Sequence, residues 1–371
     1  MTFTDFNLSE AIVKALEEKG YQVPTPIQAE AIPQILNGRD IIGLAQTGTG
    51  KTAAFCIPLL ERLHTNPRRS GVRALILAPT RELAIQVFEN LRFYGKHLQV
   101  RSAVIYGGVS QFHQEKEIRR GLDILVATPG RLHDLIEQRI LSLRDLEILV
   151  LDEADRMLDM GFIHDIKKLL KLIPVNRQNI FFSATMPPDV QKLAGAILRN
   201  PVRVAIDNPQ GRPRITQSVY YVSREKKRTL LKHLITEKAM ENVLVFARTK
   251  HGADKIAKDL NKAGISAEAI HGNKSQNARQ RALTSFKRNE TRVLVATDIA
   301  ARGIDIVDLP FVINYELPQT PETYTHRIGR TGRAGQAGFA LSFCDDTERA
   351  QLNSINRIIS SRLIVAEHPF N

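Results

Sequence analysis

The chain reads as an α/β protein of two tandem domains, each a parallel sheet flanked by helices. Three observations carry that expectation. Short runs of Val, Ile and Leu recur with helical patterns between them, as buried parallel strands and their crossovers do. At 371 residues the chain exceeds what one ordinary core holds. A run in the first half, ILVAT at 124–128, is echoed by VLVAT at 293–297, so the two halves read as related lobes.

In chain order, an apolar strand at 40–44 runs into residues 45–52, AQTGTGKT, and a helix is expected from about Thr52, with Pro58 predicted to kink or end it. Strands follow at 74–78 (ALILA), 124–127 (ILVA) and 148–151 (ILVL), and in the second half at 243–246 (VLVF) and 293–296 (VLVA). Each delivers polar residues at its carboxyl end, where open parallel sheets bind ligands. Residues 207–215, DNPQGRPRI, carry two prolines and a glycine without periodicity and read as a linker between domains 1–206 and 216–371.

Composition narrows the class. The net charge is +13 and the pI about 9.8, which suits a polyanionic partner. Residues 1–206 hold 26 Lys and Arg against 22 Asp and Glu, the remainder 26 against 17, so the second half is the more basic. Two distant cysteines, Cys56 and Cys344, argue against a disulfide framework or zinc site. The amino terminus lacks the basic start and apolar core of a signal peptide, and no run has the length of a membrane span; a cytoplasmic protein is expected, with no membrane partner.

The chemistry concentrates at two strand ends. Residues 45–52 form a phosphate loop: Thr47, Gly48, Thr49 and Gly50 turn backbone amides toward phosphates, Lys51 reaches the outer phosphates, and the Thr52 hydroxyl can ligate magnesium. Ala45 stands where the general pattern has Gly, while the GTGKT core is intact. Only the first half has such a loop. At 152–155 the chain reads DEAD: Asp152 leaves its strand at the ligand edge and can hold the same ion, Glu153 can orient and deprotonate a water, and Asp155 is better placed to bond neighbouring loops. An acidic helix start is the plain alternative for these carboxylates; the upstream phosphate loop weighs against it. ATP and Mg2+ are the expected ligands.

On these residues, and on an ordered series of further motifs, the chain resembles the DEAD-box RNA helicases over almost its whole length. GYQVPTPIQ at 20–28, with Phe3 upstream, resembles the adenine-reading Q motif. PTREL at 79–83, Gly107 and Gly108, TPGR at 128–131, SAT at 183–185, ARGID at 301–305 and HRIGRTGR at 326–333 complete the series. HGNKSQNARQRALTSFK at 271–287 and the linker look most like the bacterial RhlE-type branch.

The resemblance implies two RecA-like domains and an RNA-dependent ATPase that opens short duplexes or remodels RNA–protein complexes, with ribosomal precursors and RNA-decay proteins as candidate partners. It also implies roles. Gln28 would read adenine, Tyr21 and Phe3 would stack near it, and Asp305 would contact the ribose. Arg330 and Arg333 would stabilise charge on the γ-phosphate, as catalytic groups alongside Lys51, Asp152 and Glu153. Ser183, Thr185, His326 and Asp155 would couple the lobes. Pro79, Thr80, Arg81, Gly108, Thr128 and Arg131, then Gly272, Gln276, Arg279 and Thr297, would grip the RNA backbone without reading bases. Aromatic residues make up only 6% of the chain and there is no Trp, so base-stacking platforms are not evident. A processive DNA translocase and a non-hydrolysing RNA clamp are the competing readings; intact Glu153, Arg330 and Arg333 weigh against the clamp.

Overall fold

Continuous apolar runs of four residues can be buried only if both faces of their sheet are covered, and that is the architecture found. A computed structural model describes residues 1–45, 48–66, 71–206, 214–301, 309–332, 337–359 and 363–370. The chain divides into two compact units, Met1–Asp207 and Asn208–Asn371.

In the first unit the strands are β1 (Ile41–Leu44), β2 (Ala74–Leu77), β3 (Ser102–Ile105), β4 (Ile124–Ala127), β5 (Ile148–Leu151), β6 (Gln178–Ser183) and β7 (Val202–Ala205). They form one sheet in the order β3-β4-β2-β5-β6-β1-β7, every pairing parallel. Alternate residues feed two cores. Ile76, Val126, Val150 and Phe182 pack on one face with the helices Pro26–Leu36, Lys51–Thr65 and Arg81–Tyr94, and Leu75, Leu125, Leu149 and Phe181 pack on the other. Each such side chain contributes about 1.5–3 kcal/mol on burial.

The second unit contains β8 (Arg214–Tyr221), β9 (Val243–Phe246), β10 (Ala267–Ile270), β11 (Val293–Ala296), β12 (Phe311–Asn314), β13 (Ala337–Cys344) and β14 (Ile364–Val365). Its order is β10-β11-β9-β12-β13-β8-β14, again all parallel. Adding seven to each strand number of the first sheet reproduces the second. The ILVAT and VLVAT echo therefore falls on equivalent strands, β4 and β11.

Two expectations need correction. Pro58 does not end its helix, which runs unbroken from Lys51 to Thr65. The cost of a proline inside a helix, about 3 kcal/mol, is offset because this helix is packed all round, with Phe55, Cys56, Ile57, Leu59 and Leu60 at most 2% exposed. Arg214 and Ile215, placed in the linker, instead begin β8, pairing with Ala337 and Gly338 of β13; residues 207–213 lie outside the described residues.

The helices that follow the equivalent strands β1 and β8 each open on a lysine. Lys51 starts the first, and Lys227 starts Lys227–Glu237. Lys227 is 2% exposed and forms ion pairs with Asp345 at 3.0 Å and with Glu348. Glu348 also accepts from Arg248 at 2.9 Å and from the Leu317 amide at 3.1 Å. A buried ammonium is thus matched by two carboxylates.

Candidate nucleotide and RNA sites

The carboxyl edge of the first sheet separates into two neighbouring stretches. The adjacent strands β5, β6 and β1 deliver Asp152 and Glu153, Ser183, and the phosphate loop. The adjacent strands β3, β4 and β2 deliver Gly107 and Gly108, Thr128, and Pro79 with Thr80. The first stretch gathers carboxylates, hydroxyls and the loop; the second gathers hydroxyls, glycines and arginines.

In the loop, Gly48 and Gly50 hold φ of +89° and +94°, a region that costs other residues dearly. A Cβ on Gly50 would also collide with the Gln28 amide nitrogen and the Thr25 hydroxyl. Lys51 is 6% exposed and donates to the Ala45 carbonyl at 2.7 Å. Thr52 is half-buried in the first helical turn. Thr47 lies outside the described residues.

Gln28 is buried and engaged at both ends. Its Oε1 accepts from the Thr25 amide at 2.9 Å, closing a capping box at the start of Pro26–Leu36, and its Nε2 donates to the Gly50 carbonyl at 3.1 Å. The expected base-reading amide therefore ties its own segment to the phosphate loop, a long-range bond that pattern alone does not show. Tyr21, half-buried, stacks against Phe3 with ring centres 6.1 Å apart.

Asp152 is 2% exposed, and burial pushes its carboxyl up to about 7; Lys51 pulls against that rise and Glu153 adds to it. Its Oδ1 accepts from the Glu153 amide at 3.0 Å. Glu153 sits at φ 51°, ψ 52°, in the left-handed region at the cap of the short helix Ala154–Asp159, a strained position for a residue with a side chain. Its carboxylate is paired with the Arg156 guanidinium, both nearly buried. Asp155 turns the other way: Oδ2 accepts from the Thr185 amide at 2.9 Å and hydroxyl at 2.8 Å, and the Asp155 amide donates to Ser183 Oγ at 3.3 Å.

The raised carboxyl of Asp152 gives a pH-dependent expectation. Its folded pKa, about 7, lies above the ordinary 3.8, so ionising it disfavours the ligand-free fold. Stability from this group is complete below pH 3.8, is lost as pH rises, and is gone above about 7. Asp152→Asn should therefore stabilise the ligand-free protein at pH 8 by up to about 4 kcal/mol, with the advantage shrinking toward pH 5. Urea melts at both values test this; equal stabilities at pH 8 would contradict it.

In the second stretch, Thr80 caps the helix Arg81–Tyr94, its Oγ1 accepting from the Leu83 amide at 3.3 Å. The Arg81 guanidinium lies on Gly107 and Gly108; Gly108 holds φ of +81°, and a Cβ there would strike the guanidinium. Thr128 occupies the N-cap position of Pro129–Glu137 without a side-chain capping bond, and Arg131 falls in that helix's first turn. The Arg131 side chain is 12% exposed, and among the described residues its buried Nε and Nη1 have no hydrogen-bond partner; the Asp134 carboxylate stands 3.7 Å from Nε. A guanidinium in the first helical turn opposes the helix dipole. Both facts suit an incoming anion.

The second unit repeats the partition. Gly272 follows β10 and Thr297 follows β11, on the stretch equivalent to β3-β4, while Gln276 and Arg279 open the helix Gln276–Lys287. A Cβ on Gly272 would meet nothing within 4 Å, so backbone there is open to a ligand. His326 lies in the last turn of Pro321–Ile328, which follows β12, the equivalent of β5, and Arg330 follows it, 6% exposed. Asp305 and Arg333 lie outside the described residues.

Sequence reasoning passed over Arg327. It is 2% exposed, clasps Asp298 through two bonds of 2.6 and 2.8 Å, and donates to Asn314 Oδ1 and the Glu316 carbonyl. It thereby joins the segment of Thr297 to the segment of Arg330. The available signal was a pair of opposite charges inside two of the quoted motif segments, Asp298 directly after VLVAT and Arg327 in HRIGRTGR.

Tandem parallel sheets of one strand order, the first carrying a phosphate loop beside a buried acidic strand end, define a RecA-like nucleoside triphosphatase. The profile of the DEAD/DEAH box helicases matches residues 25–193, and that of the helicase conserved C-terminal domain matches 225–335. The DEAD-box ATP-dependent RNA helicase CshA of Bacillus cereus is 44% identical over 98% of this chain and 69% of its own length. CshA of Bacillus subtilis is 42% identical over the whole chain and 74% of its own length. Among solved structures, a DEAD box protein from the hyperthermophile Methanococcus jannaschii is 40% identical, with TM-score 0.57 and 99% of each chain covered. S. cerevisiae Dbp5 bound to RNA and ADP BeF3 is 30% identical, with TM-score 0.84 over 98% of this chain and 95% of that one.

The chain belongs to the DEAD-box family of ATP-dependent RNA helicases and is an ATPase. The narrower RhlE-type expectation is corrected: these bacterial relatives are CshA proteins. The stretch 271–287 that suggested RhlE covers one helix and its approach, too little to outweigh similarity over the whole chain. Among the described residues no helix is long and apolar enough to cross a membrane.

Proposed function

We propose that the protein opens short RNA duplexes or remodels RNA–protein complexes locally, gripping RNA by its backbone while ATP is hydrolysed on the first unit. The observation that carries the RNA part is Arg131, whose buried Nε and Nη1 make no hydrogen bond among the described residues, at a helix start beside Thr128 and close to the sheet edge that carries Arg81. Phosphate would satisfy those donors without reading sequence. A substrate class that suits such indifference to sequence is structured RNA of the ribosomal-precursor kind. The buried free thiols Cys56 and Cys344 suit a reducing, cytoplasmic setting.

In the nucleotide stretch, Lys51 and the loop amides would hold the phosphates. Thr52 and Asp152 fit a hard divalent cation: a hydroxyl and one carboxylate whose pKa burial raises, so that a bound cation would favour its ionised form. Mg2+ takes most of its ligands from water and phosphate, so one hydroxyl and one carboxylate from the protein would suffice to hold it. Such an ion would neutralise phosphate charge. Glu153 would accept the proton of the attacking water, and Arg330 with Arg333 would supply positive charge as the γ-phosphate departs. ATP and RNA together would favour a closed arrangement of the units that distorts one strand, and phosphate release would reverse it.

Replacing Arg131 by Met keeps the aliphatic stem and removes the donors. The expected result is RNA affinity lower by about tenfold and a salt slope shallower by about 0.7, with ATP affinity in the absence of RNA unchanged. Titrations of a single-stranded RNA at several salt concentrations measure both; an unaltered affinity and slope would remove Arg131 from the RNA track.

A further inference from the structure

Lys19 has no part in the roles assigned so far, yet its surroundings are unusual for a lysine. It follows the helix Glu10–Glu18, and its ammonium lies 4.7 Å from the ring centres of Phe93 and Tyr94 and 5.7 Å from that of Tyr21. It donates to Asn90 Oδ1 at 2.8 Å, and among the described residues no carboxylate lies within ion-pair distance. Burial lowers its pKa from the ordinary value. The positive charge is therefore held by three π faces and one amide.

Those rings belong to two segments that Lys19 joins. Tyr21, which the resemblance assigns to the base site, is stacked on Phe3, and its hydroxyl meets that of Tyr94 at 3.3 Å. Tyr94 is 1% exposed and ends the helix Arg81–Tyr94, so it does not move independently of the core. Tyr21 itself is only half-buried and follows the turn after a helix; its amide donates to the Leu16 carbonyl at 2.9 Å, which anchors its backbone and leaves the ring to be oriented by its neighbours. Its orientation is set by contacts on three sides: Phe3, the Tyr94 hydroxyl and the Lys19 ammonium.

We infer that Lys19 is a positioning residue for the adenine ring, holding Tyr21 in the orientation that stacks on the base. This rests on the reading of Tyr21 as part of the base site. Among the described residues the contacts of Lys19 are to Asn90 and the three rings and not to the phosphate loop, so its removal should weaken ligands that carry a base and spare those that do not.

The test compares ADP with magnesium tripolyphosphate, which has the phosphates and no base, on the full chain. Lys19→Met should raise the Kd for ADP about 3- to 10-fold and leave that for tripolyphosphate within twofold. The kcat at saturating ATP and RNA should hold while KM for ATP rises, and Lys19→Arg, which keeps a cation over the rings, should restore most of the ADP affinity. Equal weakening of both ligands would reduce Lys19 to a structural residue and overturn the inference. So would unchanged ADP affinity in Lys19→Met when Tyr21→Ala weakens ADP selectively. If Tyr21→Ala also leaves ADP unaffected, the base-site reading beneath the inference is what fails.

Discussion

Glu153→Gln should lower RNA-stimulated ATP hydrolysis by about 10²- to 10⁴-fold while ATP still binds, leaving the protein held on RNA. The substitution keeps the shape of the side chain, and Lys51, Thr52 and Asp152 are untouched. What is lost is the proton acceptor. The structure adds a reason to choose Gln over Ala. Arg156 is nearly buried against the Glu153 carboxylate, and Ala would strand that guanidinium, a loss that typically destabilises by several kcal/mol. The Gln carbonyl can still accept from it, so a melting curve close to wild type is expected. Single-turnover hydrolysis, with RNA retention measured in parallel, checks both halves; normal turnover would exclude Glu153 as the base.

Arg330→Ala should reduce the chemical step by about 10³-fold or more with little change in ATP affinity, because the guanidinium acts where charge develops and not where the ground state is bound. The fragment 1–206 offers an independent arm. It contains the phosphate loop, Asp152, Glu153 and the two cores packed on its own sheet, so it should fold and bind nucleotide weakly. Without the arginines of the second unit it should be nearly inactive and indifferent to RNA. A fragment that hydrolyses ATP as fast as the whole chain would sink the division of catalysis between the units.

The parts of this molecule that were legible in its sequence share a physical cause. Strands such as β2, β4, β5, β9 and β11 are buried on both faces, so each residue must be apolar and the run announces itself. The edge strands β7 and β14 are largely exposed and carry Arg203 or only two residues, so they give a faint signal. The phosphate loop and the acidic strand end were legible because chemistry constrains adjacent residues. Bonds between distant residues were not: Gln28 to the Gly50 carbonyl spans 22 positions and Arg327 to Asp298 spans 29. The left-handed backbone of Glu153 also escaped notice, since pattern gives no reason to expect it at a glutamate. The early end considered at Pro58 did not occur because the packing around its helix overrides local propensity.

The lysine pair that opens equivalent helices shows how a duplicated design diverges. In one copy the ammonium of Lys51 faces a loop built for an outside ligand, and the copy remains a receptor. In the other, Asp345 and Glu348 sit against Lys227 and do from within what phosphate would do from without. That copy is self-liganded: its buried ammonium is matched by two carboxylates of its own unit and needs no visitor. Only the first half carries a phosphate loop in its sequence, so whatever the second offers an outside ligand must come from other residues than the lysine at this helix start.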